Sequence, residues 1–286
     1  MFRNHYAEAR EGEVNYLHTE ELFAKYLKAV TKEGLARSEE NLVFYLEYLF
    51  QGIRFLGKSM IDIGSGSGIY SLYAAIMGAK EVVCLEPEAE GSNGEALRKF
   101  NSLFTTLSLS NIILQKVRFQ DFEPDNKRFD IIFLHASINH LDEQACIRLQ
   151  YDERARIRYG SVFEKMNKIS KPGAKLIVSD CSRYNFFAQL GIKNPIVPVI
   201  EWQKHQSPEF WSNMLSNYGF TNPQIYWSSF SFLRKPGRLL LDNRFASYFL
   251  TSVFLLVMDK GNTEDRSMST LTSATKNFKR SPDSGF

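Results

Sequence analysis

Ile61 to Ala75 reads IDIGSGSGIYSLYAA, and this stretch decides the fold. A short apolar strand runs into a turn with glycines at Gly64, Gly66 and Gly68, and a helical stretch follows at once. Glycines let the backbone take positive φ and let a ligand approach with no Cβ in the way. The helix that follows points its free N–H groups at the same place. The spacing is G-x-G-x-G, and Ile69 stands where the dinucleotide fingerprint G-x-G-x-x-G needs its last glycine. Asp62 lies in the strand just ahead of the turn. Glu86 ends the next strand, in VVCLEPE, about 20 residues on, where a carboxylate can take both hydroxyls of a ribose. A purely structural strand–helix corner would account for the glycines but not for an acid at that place.

Outward from this turn, strands alternate with helices. Strands are expected over Ser59–Ile63, Glu81–Leu85, Ile112–Phe119, Phe129–His135 and Ala174–Ser179. Helices are expected over Ile69–Met77, Glu95–Leu107 and Asp142–Ile169, the last with a break near Gly160. Short, strongly apolar strands such as DIIFL and LIVS fit a parallel sheet buried on both faces. Ser207-Pro208-Glu209 opens a further helix, with Ser as N-cap and Pro in its first turn, and Gly219 ends it. Two strands, Gln224–Phe230 and Tyr248–Met258, follow with no helical pattern between them, so a hairpin closes the sheet. Ahead of all this, Thr19–Val30 shows one apolar face, and Ser38 caps a second helix that Gly52 stops. The expected fold is α/β, a Rossmann-like doubly wound sheet of seven strands, mostly parallel with an antiparallel last strand, under an N-terminal helical cap. Residues 1–57 form the cap and 58–260 the ligand-binding domain, with insertions near 181–206 and 228–247; 261–286, Ser/Thr/Lys-rich, reads as a disordered tail.

Composition narrows the function. The chain has 286 residues, 44% hydrophobic and 14% aromatic, enough for a packed core, and its net charge is only +3. A nucleic-acid binder carries a stronger basic excess or stripe. The run Arg148, Arg154, Arg156 and Arg158 is interleaved with Asp152 and Glu153 and reads as a solvated helix face. Cys84, Cys146 and Cys181 are too few and too scattered for a disulfide framework or a zinc site, which suits a reducing cytoplasm. The apolar stretch Ala246–Met258 is interrupted by Ser247, Thr251 and Ser252 and is shorter than the roughly 20 residues a membrane span needs. No signal peptide is visible at the N-terminus.

From Lys58 to Asp259 the chain resembles the class I S-adenosylmethionine (SAM)-dependent methyltransferases. The resemblance implies that Gly64, Ser65, Gly66 and Gly68 cradle the methionine part of SAM. It implies that Asp62 holds the amino group of that end, often through water, and that Glu86 binds the ribose. Asp121, in RFQDF, matches the residue that contacts adenine, with Gln120 as the second choice and Phe122 as a stacking or backbone neighbour. FDIIFLHASINHLDE looks like the strand-four motif, and KPGAKLIVSD like the turn into strand five. The cofactor implied is SAM, with S-adenosylhomocysteine as product.

Methyl transfer from a sulfonium is an in-line displacement that needs a held nucleophile and, for some acceptors, a base. His135 and His140 bracket the loop after strand four, which in this family faces the methyl group. A histidine there suits general-base work near neutral pH, and His140, at the far end of the loop, is the first choice. The alternative for His140 is to pack against the helix opening at Asp142, and for His135 to line the SAM pocket. After strand five a long connection rich in aromatics and amides supplies candidate substrate residues Arg183, Asn185, Trp202 and His205. The stretch between the last two strands is longer than a hairpin needs and is expected to complete the pocket or form a homodimer surface.

Absences count as well. LHAS carries neither the Asn/Asp-Pro-Pro-Tyr/Phe motif of amino-methylating DNA enzymes nor a Pro-Cys pair for cytosine C5 chemistry. His135 stands where the catechol type places a metal-binding aspartate, so no metal is expected. The expectation is a cytoplasmic methyltransferase of a small molecule, with no nucleic-acid or membrane partner and the oligomeric state open. O-methylation ranks ahead of N- or C-methylation. The rivals are a protein or RNA methyltransferase docking through the Arg148–Arg158 helix and Lys276, Lys279 and Arg280, and a catalytically silent SAM-fold binding subunit.

Overall fold

The computed structural model describes residues 13–87, 94–228, 237 and 240–261. Two helices, α1 (Glu13–Lys32) and α2 (Glu39–Leu49), come first. The Ser38 hydroxyl accepts from the Asn41 amide at 3.2 Å to cap α2, and Gly52, at φ 73°, turns the chain beyond it. Then follow β1 (Ser59–Ile63), α3 (Ile69–Ile76), β2 (Glu81–Leu85), α4 (Glu95–Leu107), β3 (Ile112–Gln115) and β4 (Phe129–His135). Next are α5 (Glu143–Arg148), α6 (Glu153–Ile169) and β5 (Ser170–Cys181), and the chain ends on α7 (Phe186–Gln189), α8 (Pro208–Ser216), β6 (Phe220–Ser228), α9 (Arg244–Phe249) and β7 (Val253–Lys260).

The seven strands form one sheet in the order β3-β2-β1-β4-β5-β7-β6. β1 pairs in parallel with β2 and β4, and β4 with β5, while β7 runs antiparallel between β5 and β6. The carboxyl ends of β1, β2, β4, β5 and β6 therefore share one edge, where ligands bind in open α/β sheets. Alternation along the strands sends Met60, Phe133 and Ile177 to one face and Ile61, Leu134 and Val178 to the other. The first face is covered by α1, α2, α3 and α4, so the N-terminal cap is part of the main core: Tyr26, Leu46 and Leu49 are fully buried in it. The second face is covered by α6 and α8 through Tyr159, Phe163 and Trp211. At the amino-terminal edge, Asp130 accepts from Ser59 and from Lys171, tying β1, β4 and β5 together.

Four expectations need correction. The helix expected over 142–169 breaks at Leu149–Asp152, not at Gly160, because Asp142 and Asp152 each cap a separate helix through the Ala145 and Arg154 amides. Gly160 lies inside α6, where a Cβ would meet the Tyr218 hydroxyl; the missing side chain serves packing. β3 stops at Gln115 and a 3-10 turn takes Phe119–Asp121. A helix, α9, intervenes between the last two strands, capped by Asn243, and it absorbs Tyr248 and Phe249 from the expected strand. Residues 229 and 230, much of the 228–247 insertion, the tail beyond Gly261 and the first twelve residues of the cap lie outside the described residues, as do Lys276, Lys279 and Arg280.

Candidate active site

β1 ends in the glycine turn because Gly64 and Ser65 both donate their amides to Leu85 O, at 2.8 and 3.0 Å, which anchors the turn on the end of β2. Gly64, Gly66 and Gly68 all take positive φ (79°, 55° and 72°). Two of the three are required by the protein's own packing. A Cβ on Gly64 would sit 2.6 Å from the Ser137 Cβ, and one on Gly68 2.3 Å from the Phe100 ring. At Gly66 nothing lies within 4 Å, so this glycine alone faces open space. Its amide donates to Glu86 Oε2 at 2.6 Å.

Asp62 sits beneath the turn. Its Oδ2 accepts from the Ser71 hydroxyl at 2.6 Å, while its Oδ1 is buried with no partner. Burial pushes the carboxyl up to about 7; the Ser71 hydrogen bond works against this and the nearby Glu86 charge adds to it. Burial also raises Glu86, against the Gly66 hydrogen bond. The Ser65 hydroxyl is likewise buried and unpartnered. Orphaned buried polar atoms cost roughly 1–3 kcal/mol each, and two of them belong to the β1 end and glycine turn that carry Gly66.

Around the expected adenine site the side chains are already engaged. Asp121 is exposed and accepts from Arg118 Nε at 2.7 Å, and Gln120 donates to Leu141 O at 2.5 Å. Phe122 is buried in the second core with Phe119, so its ring packs against protein.

At the end of β4, His135 is partly buried, its Nε2 2.8 Å from the Tyr45 hydroxyl of α2 and 3.3 Å from the Tyr70 hydroxyl of α3. Burial lowers its pKa to about 4, against the opposing charge of Asp180, so the ring is neutral at physiological pH. Ser137 donates to Ile63 O at 2.5 Å, closing the β1–β4 crevice beneath Gly64. Asn139, almost fully buried, leaves both amide atoms without partners. His140 is on the surface. Its Nδ1 is 2.5 Å from Glu143 Oε1, and Lys204 holds the other oxygen of that carboxylate at 3.2 Å.

After β5 the expected substrate residues divide. His205, beyond the 3-10 turn Trp202–Lys204, places Nδ1 3.1 Å from Oδ1 of Asp180, and Asp180 Oδ2 is buried with no partner. Arg183 donates to Gln206 at 3.2 Å beside this pair, and Trp202 is partly buried. Asn185 is not available to a substrate. It is fully buried, its Oδ1 caps α7 and accepts from Asn194, and its Nδ2 donates to Tyr248 O, Leu250 O and Ser252 Oγ. Sequence reasoning missed Asp180, Tyr45 and Tyr70. Asp180 carried a signal, an acid at the end of LIVSD on the strand next to β4. The tyrosines carried none, because on helices they read as core.

A family model described as a methyltransferase domain matches residues 35–225. The chain belongs to that family. A comparison with curated proteins found no match. Among solved structures, a proposed SAM-dependent methyltransferase from Listeria monocytogenes shares 14% identity and superposes with a TM-score of 0.51 over 78% of this chain and 99% of its own. A SAM-dependent methyltransferase from Aquifex aeolicus gives 14% and 0.51, over 81% and 98%. A proposed sarcosine dimethylglycine methyltransferase from Galdieria sulphuraria gives 13% and 0.52, over 77% and 85%. At such identities the likeness is one of fold, and that fold is the class I one found here.

Membership implies SAM as cofactor, and the methyltransferase's residues fit it. SAM supplies an electrophilic methyl group. Asp62 has a free buried oxygen suited to an ammonium, Gly66 leaves backbone room, and Glu86 offers a carboxylate suited to paired hydroxyls. Among the described residues no cluster of three or more His, Cys, Asp or Glu stands ready for a metal ion, and no helix is long and apolar enough to cross a membrane.

Proposed function

We propose that this methyltransferase transfers the methyl group of SAM to a small-molecule acceptor, with an oxygen acceptor ranked ahead of nitrogen or carbon. The observation that carries the reading is Gly66, open to space between the unpartnered Asp62 oxygen and the Glu86 carboxylate. Asp62, the glycine turn, Ser65 and Glu86 bind and orient the donor, and the Asp121–Phe122 backbone borders its base. An acceptor enters over the carboxyl ends of β4 and β5, under the Tyr45 face of α2. That roof favours a small acceptor over a macromolecule. The Arg148–Arg158 run supports the same choice: Arg148 pairs with Asp152, Arg158 with Asp142, and Arg156 with the carbonyls of Leu149 and Gln150. The unpaired cysteines suit a reducing cytoplasm.

For an acceptor that must lose a proton, His205 is the base. Asp180 accepts from Nδ1–H and so leaves Nε2 as the acceptor, an arrangement in which an acid fixes the tautomer of a catalytic imidazole. His135, neutral and bonded to Tyr45, stands at the end of β4 as a hydrogen-bonding group. His140, hydrogen-bonded to Glu143 at the surface, is the second choice for the base. The test is calorimetry with S-adenosylhomocysteine, followed by mass spectrometry of SAM turnover against a small-metabolite panel. Folded protein that gives neither heat nor a thermal shift with either SAM or S-adenosylhomocysteine overturns the reading.

A further inference from the structure

A cavity of about 610 Å³ lies on the carboxyl edge of the sheet, well away from the glycine turn. It is framed by the turn after β5, the end of β6 and α9, and its walls include Ser182, Tyr184, Gln189, Trp227, Phe245 and Tyr248. Four of those six are aromatic and come from three separate elements. Trp227 is steadied from below by Phe254, ring centroids 6.2 Å apart. Tyr248 is fixed by a 2.5 Å hydrogen bond to Gln189. The rim is left wet: Phe245 is 75% exposed and Tyr184 46%. Large rings standing in water around a concave site are apolar surface suited to a ligand. The charges at the wall cancel, because Arg244 pairs with Glu209 at 3.4 Å, so the cavity offers no net charge to select an ion.

Its place relates it to the chemistry. Ser182, in the cavity wall, stands just past the end of β5 and two residues after Asp180. Glu209 lies in the first turn of α8, shortly after His205 and Gln206. In the sheet order the cavity centres near β7, two strand spacings from β4, or roughly 10 Å. A ring system seated there reaches the end of β4 only if it is at least two fused rings long or carries a short arm.

We propose that this cavity binds the ring system of the methyl acceptor, a neutral aromatic molecule of about bicyclic size with its reacting atom directed toward Asp180 and His205. The proposal rests on the small-molecule methyltransferase reading above, and it assigns the substrate class. Trp227, Phe245 and Tyr248 stack on the rings, and Tyr184 closes the rim.

The probe is 2-naphthol, with its saturated counterpart decahydro-2-naphthol as control, each titrated into the full chain by calorimetry in parallel with S-adenosylhomocysteine. The expected result is saturable binding of 2-naphthol, at least several-fold tighter than the saturated alcohol. Phe245→Ala and Tyr184→Ala, both at exposed positions, should each weaken it about three- to tenfold while S-adenosylhomocysteine binds as before. Absence of saturable binding, equal affinity for the saturated alcohol, or unchanged affinity in both variants overturns the proposal. A wild-type chain that fails to bind S-adenosylhomocysteine overturns the methyltransferase reading instead, and the 2-naphthol arm reports on the cavity independently.

Discussion

The Gly66 amide donates to Glu86 Oε2 at 2.6 Å, so the glycine turn and the end of β2 are bonded to each other across the place where a ligand would lie. The bond explains how Glu86, only half-buried, is held in position. Paired ligand hydroxyls would draw on the same carboxylate and replace a neutral amide donor with two hydroxyl donors. Glu86→Gln should therefore weaken S-adenosylhomocysteine by about 1.5–3 kcal/mol. Gly66→Val should abolish binding, and because valine is strained at φ 55° the variant should melt below wild type while circular dichroism shows that it is folded. Calorimetry decides both, and wild-type affinity in the two variants would move the site elsewhere.

Asp62 yields a pH prediction. Its carboxyl is pushed up to about 7 in the folded chain from an ordinary 3.8, so the neutral form favours the fold. That contribution is complete below about pH 4 and is lost as pH rises through 7. The ligand-free Asp62→Asn variant should melt several degrees above wild type at pH 8, with the gap closing toward pH 4. SAM carries an ammonium that prefers the ionised acid, so wild-type affinity should climb from pH 5.5 to 8 while that of the variant stays flat. Parallel melting curves at both pH values would remove Asp62 from the buried, unpaired role described above.

His135 runs the opposite way. Its folded pKa, near 4, lies below the ordinary 6.5, so the neutral ring contributes stability above about pH 6.5 that is lost as pH falls through 4. His135→Gln retains a partner for the Tyr45 hydroxyl and removes the titration. Denaturant melts at pH 7 and pH 4.5 should show wild type losing about 2 kcal/mol more than the variant over that interval.

Much of this was legible in the sequence because it follows from local chemistry. β1, β2, β4 and α4 sit where their apolar runs placed them, and Ser38 and Ser207 cap the helices they were expected to cap. The misreadings arise where a residue's local preference and its tertiary use differ. Asn185 looked like a substrate ligand because amides on long loops often are, yet it ties its loop to the Tyr248–Ser252 segment. Gly160 looked like a helix break, although nothing in the local sequence records that Tyr218 packs over it.

Gly160 gives a stability test with opposed outcomes. Helix propensity alone predicts that Gly160→Ala stabilises by about 1 kcal/mol. Packing predicts the reverse: the new Cβ meets the Tyr218 hydroxyl, and overpacking of this kind costs about 1–3 kcal/mol. Chemical denaturation should find the variant destabilised, with Tyr218→Leu in the same chain recovering most of the loss. A stabilised single variant would mean that Tyr218 swings away freely.

His205, the proposed base, differs from His140 in the acid beside it. Glu143 is on the surface and shared with Lys204, whereas Asp180 is buried at the end of β5 with its second oxygen unpartnered. A buried carboxylate fixes one imidazole tautomer and stabilises the protonated ring as it forms, and a solvated one does so weakly. His205→Gln should therefore lower turnover of a hydroxyl acceptor by about 10²-fold or more with S-adenosylhomocysteine affinity nearly unchanged. Asp180→Asn should follow it, since an amide can hold the imidazole in the wrong tautomer. His140→Ala should cost little. A tenfold or greater loss in His140→Ala, with His205→Gln active, returns the role to His140. Full activity in both His205→Gln and His140→Ala would leave catalysis to proximity and exclusion of water.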